Sequence, residues 1–371
     1  MQFVLFTHSL TSDWNHGNAH FLRGIVRELQ RAGHDALACE PADGWSRHQL
    51  MSEPEGARAV RAFAAAFPDI PIMRYGADPD LDQMLCGADV VIVHEWTDPA
   101  LVKAIGLRRR AGGRFILLFH DTHHRAVTAE AQMAALELGD YDAVLAFGAV
   151  LSETYQARGW GRRVFTWHEA ADTAWFRPHP EIVADRDLVF IGNWGDEERS
   201  DELRRFLIGP SARLKLTTSV HGVRYPASAI EELSVAGIAY EGYLPNLSVP
   251  KVLARHRATI HVPRGPYVRQ LPGIPTIRVF EALACGIALI CAPWSDSEGL
   301  FRPGHDFLVA TDGFDMERKL GLLMADQAMR IAIAASGREQ ILARHSCRHR
   351  VQELLAIVAG LGAPASQEAA A

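Results

Sequence analysis

The chain has no apolar run approaching the ~18 residues that crossing a bilayer takes, so no transmembrane segment is expected. Its first residues, Met-Gln-Phe-Val-Leu-Phe-Thr-His, lack the basic start and long apolar core of a signal peptide. Cysteine is scarce. The five present (Cys39, Cys86, Cys285, Cys291, Cys347) are an odd number with no close pair at metal-ligand spacing. That usage argues against a disulfide framework and fits buried thiols in a reducing cytoplasm, so a soluble, cytoplasmic protein is expected, with peripheral membrane contact left open. Positive charge is in deficit: 38 Lys and Arg stand against 44 Asp and Glu, a net charge of -6, which argues against nucleic acid as a partner. A Gly-x-Gly-x-x-Gly fingerprint is missing after the first strand, where Gly17 stands alone, so no dinucleotide site is inferred. There is no fine internal repeat.

What is present is a rhythm. The 371 residues, 48% of them hydrophobic, suffice for two cores. Residues 2–6 read as a strand, followed by a polar loop that includes Trp14, His16, Gly17 and Asn18. Leu22, Ile25, Val26 and Leu29 then mark one face of a helix that stops at Gly33. Strands follow at 88–93, ending in His94-Glu95-Trp96, and at 114–119, ending in His120-Asp121-Thr122-His123-His124. Two more lie at 143–147 and 164–167. In a doubly wound α/β domain ligands sit at the carboxyl ends of strands, where these polar clusters fall. Residues 169–180 end rich in proline and read as an interdomain linker. A second series has strands at 187–191, 214–218, 238–242, 258–262, 287–291 and 307–310, a charged helix over 197–207 and helix from 314 onward. The expected division is 1–168, linker 169–180, 181–345, a C-terminal helix at 346–363 that packs back on the first domain, and a frayed tail at 364–371.

The stretch from Leu271 to Gly286 organises the second half. Two prolines and Gly273 make 271–275 a loop. Thr276 is a natural N-cap, Ile277, Phe280, Glu281 and Ala284 fall at helical spacing, and Gly286 stands where a left-handed cap is usual. Free amides at the helix start and its dipole favour an anion, and Arg278 adds a planar cation able to grip two phosphate oxygens. Glu281, one turn in, can accept from two adjacent hydroxyls, as on a ribose. The plainer reading is an ordinary loop-helix-strand corner with a surface arginine. Other residues carry two readings as well. Trp14, Trp96 and Trp167 either stack on an acceptor sugar or are simply half-buried. Arg264 either pairs with phosphate or is solvated; Arg199 is the exception expected on an otherwise solvated charged helix. Cys285 and Cys291 read as core.

Three blocks in the second half resemble the donor domain of GT-B-fold, nucleotide-sugar-dependent glycosyltransferases. They are Ala171-Asp172-Thr173-Ala174-Trp175-Phe176-Arg177-Pro178, Asp187-Leu188-Val189-Phe190-Ile191-Gly192-Asn193, and Phe280-Glu281-Ala282-Leu283-Ala284-Cys285-Gly286 with its strand and Gly304-His305-Asp306-Phe307-Leu308-Val309. In the first half His16-Gly17-Asn18 and the helix to Gly33-His34 are similar to the family's first loop and helix. The match reaches to about Glu353 and looks nearest the spore-maturation (CgeB-like) branch. The resemblance implies the fold: two Rossmann-like lobes facing a cleft. It implies that Glu281 holds the donor ribose, and that the amides from Ile274 to Ile277, Pro275 excepted, hold the diphosphate with Arg278. Gly192, Asn193 and Trp194 would line the opposite wall, and Tyr243 and Leu244 would lie near the base. His120 matches a histidine that touches the transferred sugar in retaining relatives. Gly273 stands where many of those relatives carry a second glutamate, which leaves the stereochemical outcome open.

The implied chemistry is departure of a nucleoside diphosphate from an anomeric carbon, with amides and Arg278 stabilising the leaving oxygen. No metal and no cofactor beyond the nucleotide-sugar co-substrate are required. An inverting course needs a base at the acceptor hydroxyl, for which Asp121, His16 and His120 are the candidates. His94, Glu95, Trp96 and His123, with Trp14, Gly17 and Asn18, are expected on the acceptor and sugar side. Three rivals remain. One is a metal-dependent hydrolase using His94, Glu95, His120, Asp121, His123 and His124, although adjacent His123 and His124 on an extended segment would point apart. The others are a sugar-nucleotide epimerase on the same fold and a binding protein without catalysis.

Overall fold

The computed structural model describes residues 1–195 and 198–362. The first sheet holds β1 (Gln2–Phe6), β2 (Asp35–Pro41), β3 (Ile72–Tyr75), β4 (Val90–His94), β5 (Ile116–Asp121), β6 (Ala143–Ala146) and β7 (Val164–Thr166). Their order is β3-β2-β1-β4-β5-β6-β7. The second sheet holds β8 (Arg186–Ile191), β9 (Thr218–His221), β10 (Ala239–Tyr240), β11 (His256–His261), β12 (Ala288–Cys291) and β13 (Leu308–Val309), in the order β10-β9-β8-β11-β12-β13. Neighbouring strands run parallel throughout; Val4 of β1, for example, faces Leu37 on one side and Val91 on the other. Helices cover both faces, so the central strands are buried on both and read as unbroken apolar runs. Each sheet reverses its winding once, between β1 and β4 and between β8 and β11. Ligands bind at such switch points, beyond the carboxyl ends of the strands.

Several elements differ from the sequence reading. The strand expected at 214–218 lies at Thr218–His221, because the preceding helix runs on to Leu214 and ends at Lys215 in the left-handed conformation. β2 and β3 went unread in the sequence. Between β5 and β6 the chain forms three short pieces, Arg125–Thr128, Glu130–Ala134 and a turn at Leu138–Asp140. Cys86 is exposed, whereas the other four cysteines are buried. The start of the charged helix at Glu197 and the tail at 364–371 lie outside the described residues. No described helix is long and apolar enough to cross a membrane.

Two segments tie the lobes together. The loop before the Ile277–Cys285 helix reaches across, so that Leu271 and Ile274 join the apolar core of the first lobe. The C-terminal helix, Cys347–Gly362, crosses back and buries Cys347, Val351, Leu354 and Val358 among first-lobe residues. It lies on the Ala19–Arg31 helix at Gly24, where a Cβ would sit 2.4 Å from Cys347 Sγ and 3.0 Å from Asp172 Cβ. Glycine is therefore required there by close approach. Gly24→Val is expected to lower stability by about 1–3 kcal/mol through overpacking, read as a lower urea midpoint. An unchanged midpoint would mean that the two helices do not meet at this residue.

Candidate active site

A cavity of about 600 Å³ lies between the lobes, at the carboxyl edges of both sheets. His8 follows β1, Thr122 and His123 follow β5, and Phe147 follows β6; on the other side Asn193 follows β8 and Arg264 follows β11. Of the residues singled out in the sequence, His16, Gly17, Asn18, Trp96, His123, Asn193, Arg199, Arg264, Thr276 and Ile277 line it.

The second-lobe wall is cationic. Arg199 is 8% exposed and donates to the Val262 carbonyl at 2.7 Å and to the Asn193 carbonyl. Both acceptors are neutral, so among the described residues no carboxylate is hydrogen-bonded to its charge. Burial lowers its pKa to about 10, which leaves it charged at neutral pH. Arg264 is paired with Glu198 at 2.6 Å. Thr276 is the N-cap residue in an extended conformation, as its position suggests, but its side chain makes no capping bond. The hydroxyl instead lies 3.0 Å from His261 Nε2, which leaves the first amides of the helix without a side-chain cap. Gly286 ends the helix at φ 66°, in the left-handed conformation expected of it.

Glu281 sits one turn behind this tip, 1% exposed, with its carboxylate already partnered. Asn246 Nδ2 donates to Oε1 at 2.8 Å, Arg278 donates to Oε2, and His20 Nδ1 lies 3.0 Å from Oε1 without good hydrogen-bond alignment. The Asp172 amide donates to His20 Nε2 at 2.9 Å, which places the ring proton on Nδ1, facing Glu281. Burial works to raise the Glu281 carboxyl, but Arg278, His20 and Asn246 outweigh it and bring it down to about 2. Only about 20 Å³ of space adjoins it. Arg278 lines that small space, not the main cavity.

The remaining donor-side residues stand further back. The Gly192 carbonyl accepts from Tyr225, and Trp194 is buried beside Tyr225. Tyr243 donates to Asp13 across the cleft, and Leu244 packs into the second-lobe core. Ile274 and Pro275 are buried, Ile274 against Gly148.

The first-lobe wall is aromatic and imidazole-rich. Trp45 and Trp96 are half-exposed at its rim, and Arg125 stacks over Trp96, 4.3 Å from the ring centre. Trp14 is buried instead, with Nε1 donating to Glu53 at 2.7 Å. His16 is 7% exposed and its Nε2 has no partner. Asp121 and His120 do not reach the cavity. β5 runs through both, so they are fully buried within the sheet. Asp121 accepts from Tyr155 Oη at 2.7 Å and from the His123 amide at 2.9 Å. Burial and the Asp121 charge together push Glu95 well above the usual carboxylate range, and burial raises Asp121 as well. His94 lies behind His16 and bonds Thr122 at 3.2 Å. The rings of His123 and His124 stack 4.0 Å apart rather than pointing away from each other, because the strand has ended before them. Among the described residues no three His, Cys, Asp or Glu side chains converge as metal ligands.

Sequence reasoning passed over His8, Trp45, Phe147, Glu169 and Tyr267, all on the cavity wall. His8, just beyond β1, could have been found by the strand-end rule that singled out His123. Glu169 carried no signal, because it reads as the first residue of a linker.

Burial makes His16, His94 and His123 poor bases and lowers His120 to about 3. These rings are neutral when folded and take up a proton on unfolding below pH ~6.5. Their stabilisation is complete above that pH and is lost as the pH falls, by up to about 1.4 kcal/mol per ring per pH unit. We expect the urea midpoint to drop between about pH 6.5 and 5, well above the carboxylate range, and the drop to be shallower in His120→Phe. A pH profile in His120→Phe no shallower than the wild type's would show that the His120 ring is not buried neutral.

Residues 199–356 match the family model described as glycosyl transferase-like. No curated protein matches the chain in sequence. Among solved structures the chain is similar to sucrose-phosphate synthase from Thermosynechococcus elongatus, with 14% identity over 97% of this chain and 99% of that one and a TM-score of 0.67. Anabaena Alr3699/HepE, solved with UDP and glucose, is similar at 14% identity over 97% and 100% of the two chains, with a TM-score of 0.67. T4 phage BGT, solved with its UDP-glucose substrate, is similar at 10% identity over 97% and 99%, with a TM-score of 0.61. The chain has the GT-B fold, and its residues 199–356 carry a glycosyl transferase-like domain.

Proposed function

We propose that the protein is a hexosyltransferase-type glycosyltransferase that moves a sugar from a nucleoside-diphosphate sugar to an acceptor, without a metal. The observation that carries this is the asymmetry of the cavity: arginines and a helix tip on the second-lobe side, neutral imidazoles and tryptophans on the first-lobe side. A departing diphosphate builds negative charge on one side only, and fixed positive groups there lower the barrier without reorganising. Arg199 is the chief of these, since its charge is buried and, among the described residues, hydrogen-bonded only to carbonyls. Arg264 and the amides of Ile277 and Arg278 complete the cradle. Asn193 borders it.

The acceptor enters from the side of Trp45 and Trp96. His16 is the base for an inverting course: it lines the cavity and its Nε2 has no partner, though burial weakens its basicity. Asp121 and His120 support that site from behind, by packing. Glu281 takes the donor ribose once His20 withdraws. Sequence blocks alone support the CgeB-like branch. The UDP-containing relatives make UDP-sugars the first donors to try.

UDP at about a hundred times its dissociation constant is expected to stabilise the protein by ~2.7 kcal/mol, seen as a raised melting temperature. Arg199→Gln should lower kcat/KM on the order of 10²-fold, the usual loss for one donor to a developing oxyanion. Transfer should survive excess chelator. Full activity in Arg199→Gln, or loss in chelator restored by added metal, would overturn the metal-free cradle. Donor converted in the absence of any acceptor would favour an epimerase instead.

A further inference from the structure

Glu169 opens the segment between the lobes, and its side chain lines the cavity. It is 4% exposed and accepts a 2.6 Å hydrogen bond from Asn18 Nδ2. It shares the cavity wall with Thr276 and Ile277, at the start of the nine-residue Ile277–Cys285 helix. A carboxyl group therefore already rests on the tip that the proposed diphosphate would use. The two can share it only if the carboxyl carries a proton; two anions there would repel. Around the same cavity four buried atoms have no partner: His16 Nε2, Asn18 Oδ1, His123 Nδ1 and Arg199 Nε. Unmet donors and acceptors on the two facing walls call for a ligand with both anionic oxygens and hydroxyls.

We propose, on the strength of the nucleotide-sugar reading above, that Glu169 is a donor-contact residue whose carboxylic acid O–H hydrogen-bonds an oxygen of the donor diphosphate. The groups facing it agree. Arg278 and Glu281 approach from the helix, Tyr267 from the second lobe, and Arg350 of the C-terminal helix reaches its carbonyl at 3.4 Å. Burial and the Glu281 charge push the Glu169 carboxyl up to about 8, against Asn18, Arg278 and the Ile277 amide. The acid form therefore prevails at neutral pH, and affinity for a diphosphate is lost as the pH rises through 8.

The test is a calorimetric titration with UDP at about pH 7 and 9, in buffers of different ionisation enthalpy. A terminal phosphate with a pKa of about 6 is already ionised over this range. Arg199, held at about 10, keeps its charge. Wild-type affinity is expected to fall about tenfold between pH 7 and 9, with close to one proton taken up per UDP at pH 9. Glu169→Gln, which is isosteric and can still accept from Asn18, should bind equally at both pH values with no uptake. Level wild-type affinity, or uptake that persists in Glu169→Gln, overturns the proposal. The wild-type result decides even if the variant does not fold. Failure of every nucleoside diphosphate to bind the wild type would instead remove the glycosyltransferase reading, and this proposal with it.

Discussion

The carboxylate of Glu281 is where the two lobes hold each other. From the second lobe it is met by Asn246 and Arg278, and from the first by His20. Asn246 is met on its other side by Arg23 of the first lobe, whose Nη2 donates to Oδ1 at 2.8 Å. Arg23 is 2% exposed, so two opposite charges are buried with one amide between them. Such a chain is stable only while every member is present, since a lone buried charge costs several kcal/mol. The same chain fixes Arg278 beside the helix tip and brings Gly17 against it, within 3.1 Å of Ile277 Cγ2 for a Cβ placed there. The mouth of the cavity is set by this contact.

The histidines give the opposite wall its character. His8, His16, His94 and His120 follow one another at ring spacings of 5.1, 5.9 and 5.3 Å. Were they charged, they would repel one another and the arginines across the cleft; burial keeps them neutral. The cavity thus has one charged face and one polar but neutral face. A reaction that generates charge on one partner and consumes a hydroxyl on the other is suited to that division.

The doubly wound plan was legible because central parallel strands, buried on both faces, leave continuous apolar runs. β2 was not, since Asp35–Pro41 contains Glu40 and Pro41. Glu40 is 1% exposed and satisfied by the Leu10 and Thr11 amides, the Ser9 and Thr11 hydroxyls and Arg74, a set scattered along the chain. β3 is four residues at a sheet edge, too short to show a period. The strand-end rule located His16 and His123 on the cavity because loops must begin there, while Asn193 came from the family resemblance. It could not tell that β5 continues through Asp121, which turns two polar residues into core. Nor could it show Glu169 at the helix tip, a placement created only when the lobes close on each other.

The ties across the cleft also say how a large ligand must enter. Glu298 of the second lobe accepts from the Ala149 amide at 3.0 Å and lies 2.8 Å from His168 Nε2, while Ile274 fills the space beside Gly148. With about 20 Å³ beside Glu281, a nucleoside cannot reach that carboxylate by side-chain shifts alone. It has to take the place now held by His20 beside that carboxylate, and His20 belongs to the other lobe. A bond exchanged for a bond of the same kind is nearly neutral in free energy, so the ribose hydroxyls can replace the imidazole at little cost. The apolar contacts of Leu271 and Ile274 have no such substitute. Opening around Glu281 while the Ile274 contact stays in place is therefore the cheaper motion, with the lobes turning about the loop that precedes the helix.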